Sequence, residues 1–391
     1  MNASRGAVRW LQGSMRQSGI FVALVVIVAF FAILNKNFLS PGNLTNIVLQ
    51  YSYILILAIG MLMVIVLGQI DLSVGSLVAF TGAVAGVLVI QSGMPWWLGA
   101  LTAILVGVAA GAWHGLWVAY VGIPGFIVTL AGMLLFRGLT YQVLHNVSLS
   151  PFPGEYYTIA NGFLNGLLGG PGYDVFTLVI FGVCVAAYAW TTFRTRARRI
   201  GYGQEVSSVP VTIGKLVVVG AVVMWFAFQL SVSRGLPIIL ILLALLVLVY
   251  GIVTKKTPFG RDIYAIGGNK EAARLSGINV KRVTFLTFVN MGFLCGIAGV
   301  AFSARMNSAQ PGAGNMFELD AIAACFIGGA STTGGTGRVA GALIGGLIMS
   351  VLSNGMQLMG ADTSTQQIVK GLVLLLAVAF DVFNRRRAGL Q

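Results

Sequence analysis

Charge is scarce in this 391-residue chain. Asp, Glu, Lys and Arg make up 9% of it, where soluble domains carry about 25%. With 57% hydrophobic residues and a mean hydropathy of +0.91, a water-soluble globular fold is excluded. Histidine is scarcer still. His114 and His145 are far apart in the chain, so no histidine-based metal site is expected. Cys184, Cys295 and Cys325 all fall in apolar runs with no CxxC pairing, and read as buried small hydrophobes rather than a disulfide framework. There is no G-x-x-x-x-G-K-[ST], so nothing cradles a nucleotide phosphate. HExxH and a plausible Ser/His/Asp set are missing too. The chain therefore reads as no enzyme, with no cofactor and no ATPase site of its own.

What is present is a series of apolar runs of 17–22 residues between Ile20 and Phe380, long enough to cross about 30 Å of hydrocarbon as helix. A membrane β-barrel would show alternating ten-residue strands instead. The fold class is an all-α polytopic membrane protein. Net charge is +14, but its distribution argues against nucleic acid: of the 24 Lys and Arg, 17 fall in four clusters. These are Arg5/Arg9/Arg16, Arg194–Arg199, Lys255–Arg282 and Arg385–Arg387. Clusters between apolar spans mark cytoplasmic loops. The stretch between Tyr141 and Phe193 has no Lys or Arg and reads as external. The first apolar run follows basic residues without a small-residue cleavage site, so it is expected to be retained.

About twelve spans satisfy every cluster, with both termini inside. They fall near 19–34, 47–69, 74–90, 98–120, 126–144, 173–193, 213–232, 237–254, 283–306, 318–329, 339–358 and 366–383. The external segment 146–172 is expected to carry one surface helix. A weak internal repeat appears at an offset of about 260: Leu67-Gly68 matches Ile327-Gly328, Ser73 matches Thr333 and Gly75 matches Gly335. In this topology the two copies run in the same direction. Small-residue spacing such as Gly341-Ala342-x-x-Gly345 predicts close helix packing.

Three places carry possible chemistry. Asp71 ends a long apolar run, in Gln-Ile-Asp-Leu-Ser. A carboxylate at membrane depth is costly unless it caps a helix, pairs or faces water. It is expected to N-cap the third span at a helix break opened by Ser73, Gly75 and Ser76, and cap and solute contact are equally compatible with that break. Glu318 and Asp320 repeat the logic at the start of the tenth span, where the helix dipole suits acids. Carboxylates also accept hydrogen bonds from sugar hydroxyls. Thr332, Thr333, Gly334 and Gly335 read as a flexible turn suited to a gate. Finally, Thr257–Gly277 interrupts the apolar sequence with a compact helix. Gly267-Gly268 breaks the chain, Asn269 caps, Glu271 sits in the first turn, and Ser276-Gly277 ends it. Ala272, Ala273 and Leu275 would form its apolar face, with Glu271 and Arg274 at the rim. The alternative to a docking helix here is a solvated loop that only sets orientation.

The stretch GRDIYAIGGNKEAARLSGI (260–278) resembles the cytoplasmic coupling loop of permease subunits in bacterial monosaccharide ABC importers, the ribose, arabinose and xylose branch. GQIDLSVGS (68–76), GFIVTLAGM (125–133) and ELDAIAACFIGGASTTGGTG (318–337) resemble the same family, and together they reach most of the chain outside 146–235. VTFLTFVNMG (283–292) and the enlarged middle are most similar to the xylose or multiple-sugar type. The resemblance implies a type II-like importer permease with broken, Gly-rich helices and a cytoplasmic coupling helix. It also implies two copies around a path, a cytoplasmic ABC ATPase docked on Gly268–Gly277, a periplasmic sugar-binding protein, and a bacterial inner-membrane location. The spans near 173–232 would be an accessory pair within one permease domain. Two other readings stay open: a related permease for branched-chain amino acids or nucleosides, and an ion-coupled secondary transporter.

Overall fold

The computed structural model describes residues 19–204 and 206–387. The Arg5/Arg9/Arg16 cluster and the last four residues lie outside the described residues. The helices in order are α1 (Gly19–Leu34), α2 (Pro41–Val66), α3 (Val74–Gly86), α4 (Trp96–Leu116), α5 (Gly125–Leu144), α6 (Gly154–Asn161), α7 (Val175–Gly201) and α8 (Val209–Ser233). Then come α9 (Ile238–Lys256), α10 (Pro258–Gly268), α11 (Lys270–Leu275), α12 (Val280–Met306), α13 (Phe317–Ile327), α14 (Val339–Leu358) and α15 (Thr363–Arg387). α3 and α4 each end in a π-helical turn, Val87–Gln91 and Trp117–Val121. Among the described residues, nine helices are long and apolar enough to cross a membrane. The other expected spans correspond to α1, which is shorter, to α13, with 11 residues, and to α15.

α2 is the centre of the bundle. Ser40 caps it and Pro41 opens it, and from Ile54 on its sequence is apolar on every side, the pattern of a helix buried all round. Its second half, Ile54 to Val66, is buried without exception. Tyr53 packs on Phe302 and Met63 meets Asn290, so α12 runs antiparallel to α2. Tyr53 stacks on Phe317 and the Ala58 carbonyl accepts from Cys325, so α13 runs parallel to it. α4 and α12 approach until Gly107 and Gly111 lie against the backbone of Gly292, where any Cβ would overlap carbonyl oxygens. The Gly341/Gly345 face of α14 meets α13 in the same way, so small residues bring whole backbones into contact.

α7 and α8 form a hairpin at the edge of the bundle, joined to the core chiefly by α8. Phe226 packs in the cluster that contains Phe31 and Phe38, and Gln229 donates to the Leu39 carbonyl at 3.1 Å. α6 is the surface helix expected in 146–172. A two-residue antiparallel ladder of β1 (Phe163–Leu164) with β2 (Leu236–Pro237) ties that segment to the start of α9.

The hairpin begins at a carboxylate cap. Asp174 Oδ2 accepts from Thr177 N at 2.9 Å and from its hydroxyl, and Oδ1 accepts from Gly166 N at 2.9 Å. Burial pushes this carboxyl up, but the hydrogen bonds from Thr177, Gly166 and Phe176 outweigh it and hold it below the usual range. The bonded form is the charged one, so the folded value lies below the unfolded value. The cap therefore contributes fully above the unfolded value near 4 and fades as pH falls through the folded one. Asp174→Ala is expected to lower stability by about 1 kcal/mol at pH 7, with the gap to wild type narrowing toward pH 3. Thermal unfolding of the detergent-solubilised protein at the two pH values checks this, and a gap that stays constant with pH contradicts it.

Candidate functional site

The site forms where two helices start in the middle of the bundle. α2 ends at Val66, and 69–73 is non-helical before α3 begins. The exposed backbone of that break is taken up by the first turn of α5. Gln69 Oε1 accepts from Gly125 N at 3.1 Å, Leu72 N donates to Thr129 Oγ1 at 3.1 Å, and the Thr129 hydroxyl donates to the Ile70 carbonyl at 3.3 Å. A broken helix inside a membrane needs such partners. Asp71 is buried, and its Oδ1 accepts from Ser73 N at 2.9 Å and Ser73 Oγ at 2.6 Å. It therefore closes an Asx turn and does not cap α3, contrary to the sequence expectation. Ser73 occupies the N-cap position and makes no side-chain cap bond. Ser76 Oγ donates back to the Ser73 carbonyl at 2.8 Å.

The second start comes from the opposite end. After α12 the chain turns at Asn307, pairs Ala309 with Leu149, and dips back toward α13. Arg137 on α5 holds this re-entrant stretch, donating to the carbonyls of Pro311 (3.2 Å) and Ala313 (2.5 Å). Gly314 (φ 70°) and Met316 (φ 66°) then turn the chain into α13. Here the two starts touch. A Cβ on Gly75 would overlap the Gly314 carbonyl oxygen and Glu318 Oε2, and one on Gly314 would overlap the Gly75 carbonyl. The Glu318 carboxylate thus lies against the first turn of α3, where unpaired amides carry partial positive charge. Asp71 and Arg137 lie within electrostatic reach of it. Beside the contact, Tyr53, Phe302 and Phe317 pack with ring centroids 4.6–5.1 Å apart.

Asp71, Ser73, Gly75, Ser76 and Glu318 are therefore brought together. Asp320 faces another way, pairing with Lys370 on α15 at 3.0 Å. Thr332 and Thr333 are not in this group. They sit exposed in the turn after α13, where Ser331 Oγ and Thr333 Oγ1 are 2.8 Å apart and Gly335 N donates to the Val66 carbonyl at 2.8 Å.

The polar interruption folds as two helices, not one. Thr257 caps α10 through Gly260 N at 3.1 Å, and the Tyr264 hydroxyl donates to the Gly337 carbonyl at 2.7 Å. Asn269 Oδ1 accepts from Ala272 N at 2.9 Å and caps α11, as its sequence implies. Gly268 precedes the cap, the Ser276 hydroxyl donates to the Ala272 carbonyl at 2.9 Å, and Gly277 follows with φ 86°. Glu271 and Arg274 pair at 2.8 Å on the exposed side. One expectation is corrected. Ala273 is 4% exposed and belongs to the protein's own core, so it does not face outward with Ala272; Leu275, 84% exposed, does.

A family profile described as "Branched-chain amino acid transport system / permease component" matches residues 43–378. The chain belongs to that family. Among its relatives, the xylose transport system permease proteins of Haemophilus influenzae and of Escherichia coli strain K12 are each 40% identical over 370 residues. That alignment covers 94% of this chain and 96% and 92% of those proteins. The ribose import permease protein of Bacillus subtilis is 35% identical over 370 residues, 94% of each chain. No solved structure matches. The protein is thus a multi-pass permease component, a transport subunit rather than an enzyme.

Sequence reasoning did not single out Arg137, Lys370, Gln69 or Thr129 in this permease. A signal existed for two of them. Arg137 and Lys370 are lone cations inside apolar runs, and an ionisable group at membrane depth implies a partner. His114 is the one histidine within an apolar span. It is buried between α4 and α5, and its Nε2, close against Gly132, has no hydrogen-bond partner.

Proposed function

We propose that this chain is the membrane subunit of an ATP-dependent monosaccharide importer, carrying a sugar such as xylose from a periplasmic binding protein to the cytoplasm. The observation that carries the reading is the contact of two broken helices, α3 and α13, start to start, in the interior of the bundle. Broken helices line solute sites in many transporters. Asp71, Ser73, Ser76 and Glu318 supply hydroxyls and carboxylate oxygens suited to a neutral polyol, and the Tyr53 and Phe317 rings offer apolar faces. The relatives that transport xylose and ribose favour a pentose.

The orientation follows from charge. The ends of α7, α9 and α15 and the α10–α11 segment carry 12 of the 24 Lys and Arg in clusters, so that end faces the cytoplasm of a bacterial inner membrane. Two copies would enclose the path. The hairpin α7–α8 would be accessory to one permease domain, and α11 would receive an ABC ATPase.

The decisive measurement is uptake of labelled xylose into proteoliposomes containing this chain, the ATPase and the sugar-binding protein. Uptake should require ATP and the binding protein. Accumulation driven by a proton or sodium gradient without ATP would establish the ion-coupled reading. Stimulation by leucine or a nucleoside instead of a pentose would establish the other solute classes.

Docking at α11 has its own test. Leu275→Glu puts a charge on the most exposed apolar side chain of the helix and should reduce ATPase co-purification at least tenfold, with unchanged thermal unfolding. Charge reversal Glu271→Lys should cost less, as rim charges mostly tune association. Full ATPase binding by Leu275→Glu would place the partner elsewhere, with the Arg194–Arg199 end of α7 next in line.

A further inference from the structure

A laterally open groove of about 360 Å³ runs between α4, α10 and α12, lined by Val108, Phe259, Leu286, Val289, Asn290 and Phe293. That is within the range of small-molecule sites, about 300–1,000 Å³. It takes no part in the α3–α13 contact. Its walls are apolar except at Asn290, whose amide oxygen accepts from the Tyr250 hydroxyl and whose nitrogen reaches Met63 Sδ at 3.6 Å. That fixes the amide as part of the floor. Two of the walls, α4 and α12, are membrane spans, and Leu286 is 37% exposed on the outer side. An opening there faces hydrocarbon.

Charge continues the same stripe. Arg282, Leu286, Val289 and Phe293 follow one another at i, i+4, i+7 and i+11 of α12, which places them on one face of the helix. Arg282 lies one turn beyond Leu286, about 6 Å along the axis toward the basic end, and is exposed. Phe259, on the other wall, stands three and four residues after the exposed Lys256 and Lys255. No acidic residue occurs in 280–293 or in 250–260. An apolar slot leading up to unneutralised cations matches an acyl chain beneath a negative headgroup.

We propose that this groove binds one anionic phospholipid, with an acyl chain along Leu286, Val289 and Phe293 and the phosphate at Arg282, supported by Lys255 and Lys256. The site sits beside α10, so the lipid would brace the base of the α10–α11 segment from the membrane side.

The test is native mass spectrometry of the full chain in detergent, titrated separately with phosphatidylglycerol and phosphatidylcholine of identical tails. Saturable binding of one phosphatidylglycerol is expected, preferred over phosphatidylcholine by about fivefold for each basic residue engaged, since a surface cation contributes about 1 kcal/mol. Arg282→Ala should reduce that preference about fivefold. Arg199→Ala, an equally exposed charge at the end of α7, should leave it intact. Leu286→Trp, which fills the mouth of the groove from an exposed position, should abolish saturable binding of phosphatidylglycerol. Equal loss in Arg282→Ala and Arg199→Ala would show general attraction to a basic surface and overturn the site. Undiminished binding in Leu286→Trp would overturn it too, as would no saturable binding by the wild-type chain, the result expected if a second copy covers the groove.

Discussion

Lys370→Met should destabilise the folded protein by about 3 kcal/mol, and Asp320→Leu by a similar amount, while the two together should return close to wild type. The pair holds α15 to the short helix α13 through one contact of 3.0 Å, and both side chains are largely shielded, 23% and 11% exposed. Removing one partner leaves the other charge in a poor solvent. Removing both leaves an apolar contact between two helices already set in an apolar medium. The sign of the double-mutant coupling is therefore the informative quantity. It is obtained from thermal unfolding of the four proteins in detergent. Additive losses would mean that each residue is stabilised by other groups, and that the ion pair is incidental to how α15 seats.

Gly314→Ala and Gly75→Val should each abolish transport while leaving insertion into the membrane intact. Gly314 has φ 70°, and its position faces the Gly75 carbonyl with no room for a side chain. The alanine adds left-handed backbone strain, of order 1–3 kcal/mol, to an overpacking cost of similar size. At Gly75 the valine would displace the Gly314 carbonyl and the Glu318 carboxylate together. Either change separates the two helix starts. Gly138→Ala is the control: it lies on α5 with open space around it and should transport normally. Reconstituted ATP-driven uptake gives the readout, alongside the amount of chain in the membrane fraction. Normal uptake by Gly314→Ala would mean that the α3–α13 contact is not part of the working site.

Much of the membrane architecture was legible because a span announces itself by length and apolarity. α5, α12 and α14 lie within three residues of their sequence-derived limits. The brevity of α13 was also readable, from acids and glycines at its two ends. The nature of Asp71 was not. A carboxylate next to Ser73 can cap a helix or close a turn, and sequence spacing alone does not separate the two. Ala273 failed for a related reason: in a six-residue helix every face is within one turn of every other, and only the tertiary fold tells which one is covered. The gathering of Asp71 with Glu318, and the exclusion of Thr332 and Thr333, depended on direction. Both pairs lie near helix breaks, but the chain enters α3 from one end and α13 from the other. Arg137 and Lys370 escaped notice because their partners, a pair of carbonyls and one carboxylate, are distant in sequence.

The shortness of α13 has a consequence for how the protein is made. Eleven residues of helix reach about 16 Å, roughly half the hydrocarbon thickness. Such a segment, carrying two acids and preceded by a non-helical stretch, has no stable place among lipids on its own. The surfaces that shelter it are α2, made long before it, and α14 and α15, made after it. Insertion of this part of the chain is thus bound to be non-sequential. The nascent chain must hold 307–327 near the translocon or the membrane surface until α14 emerges, and only then can the piece settle against α2. Truncation between Gly328 and Val339 should accordingly yield a product that the cell's membrane proteases clear, whereas truncation after α5 should leave spans able to persist.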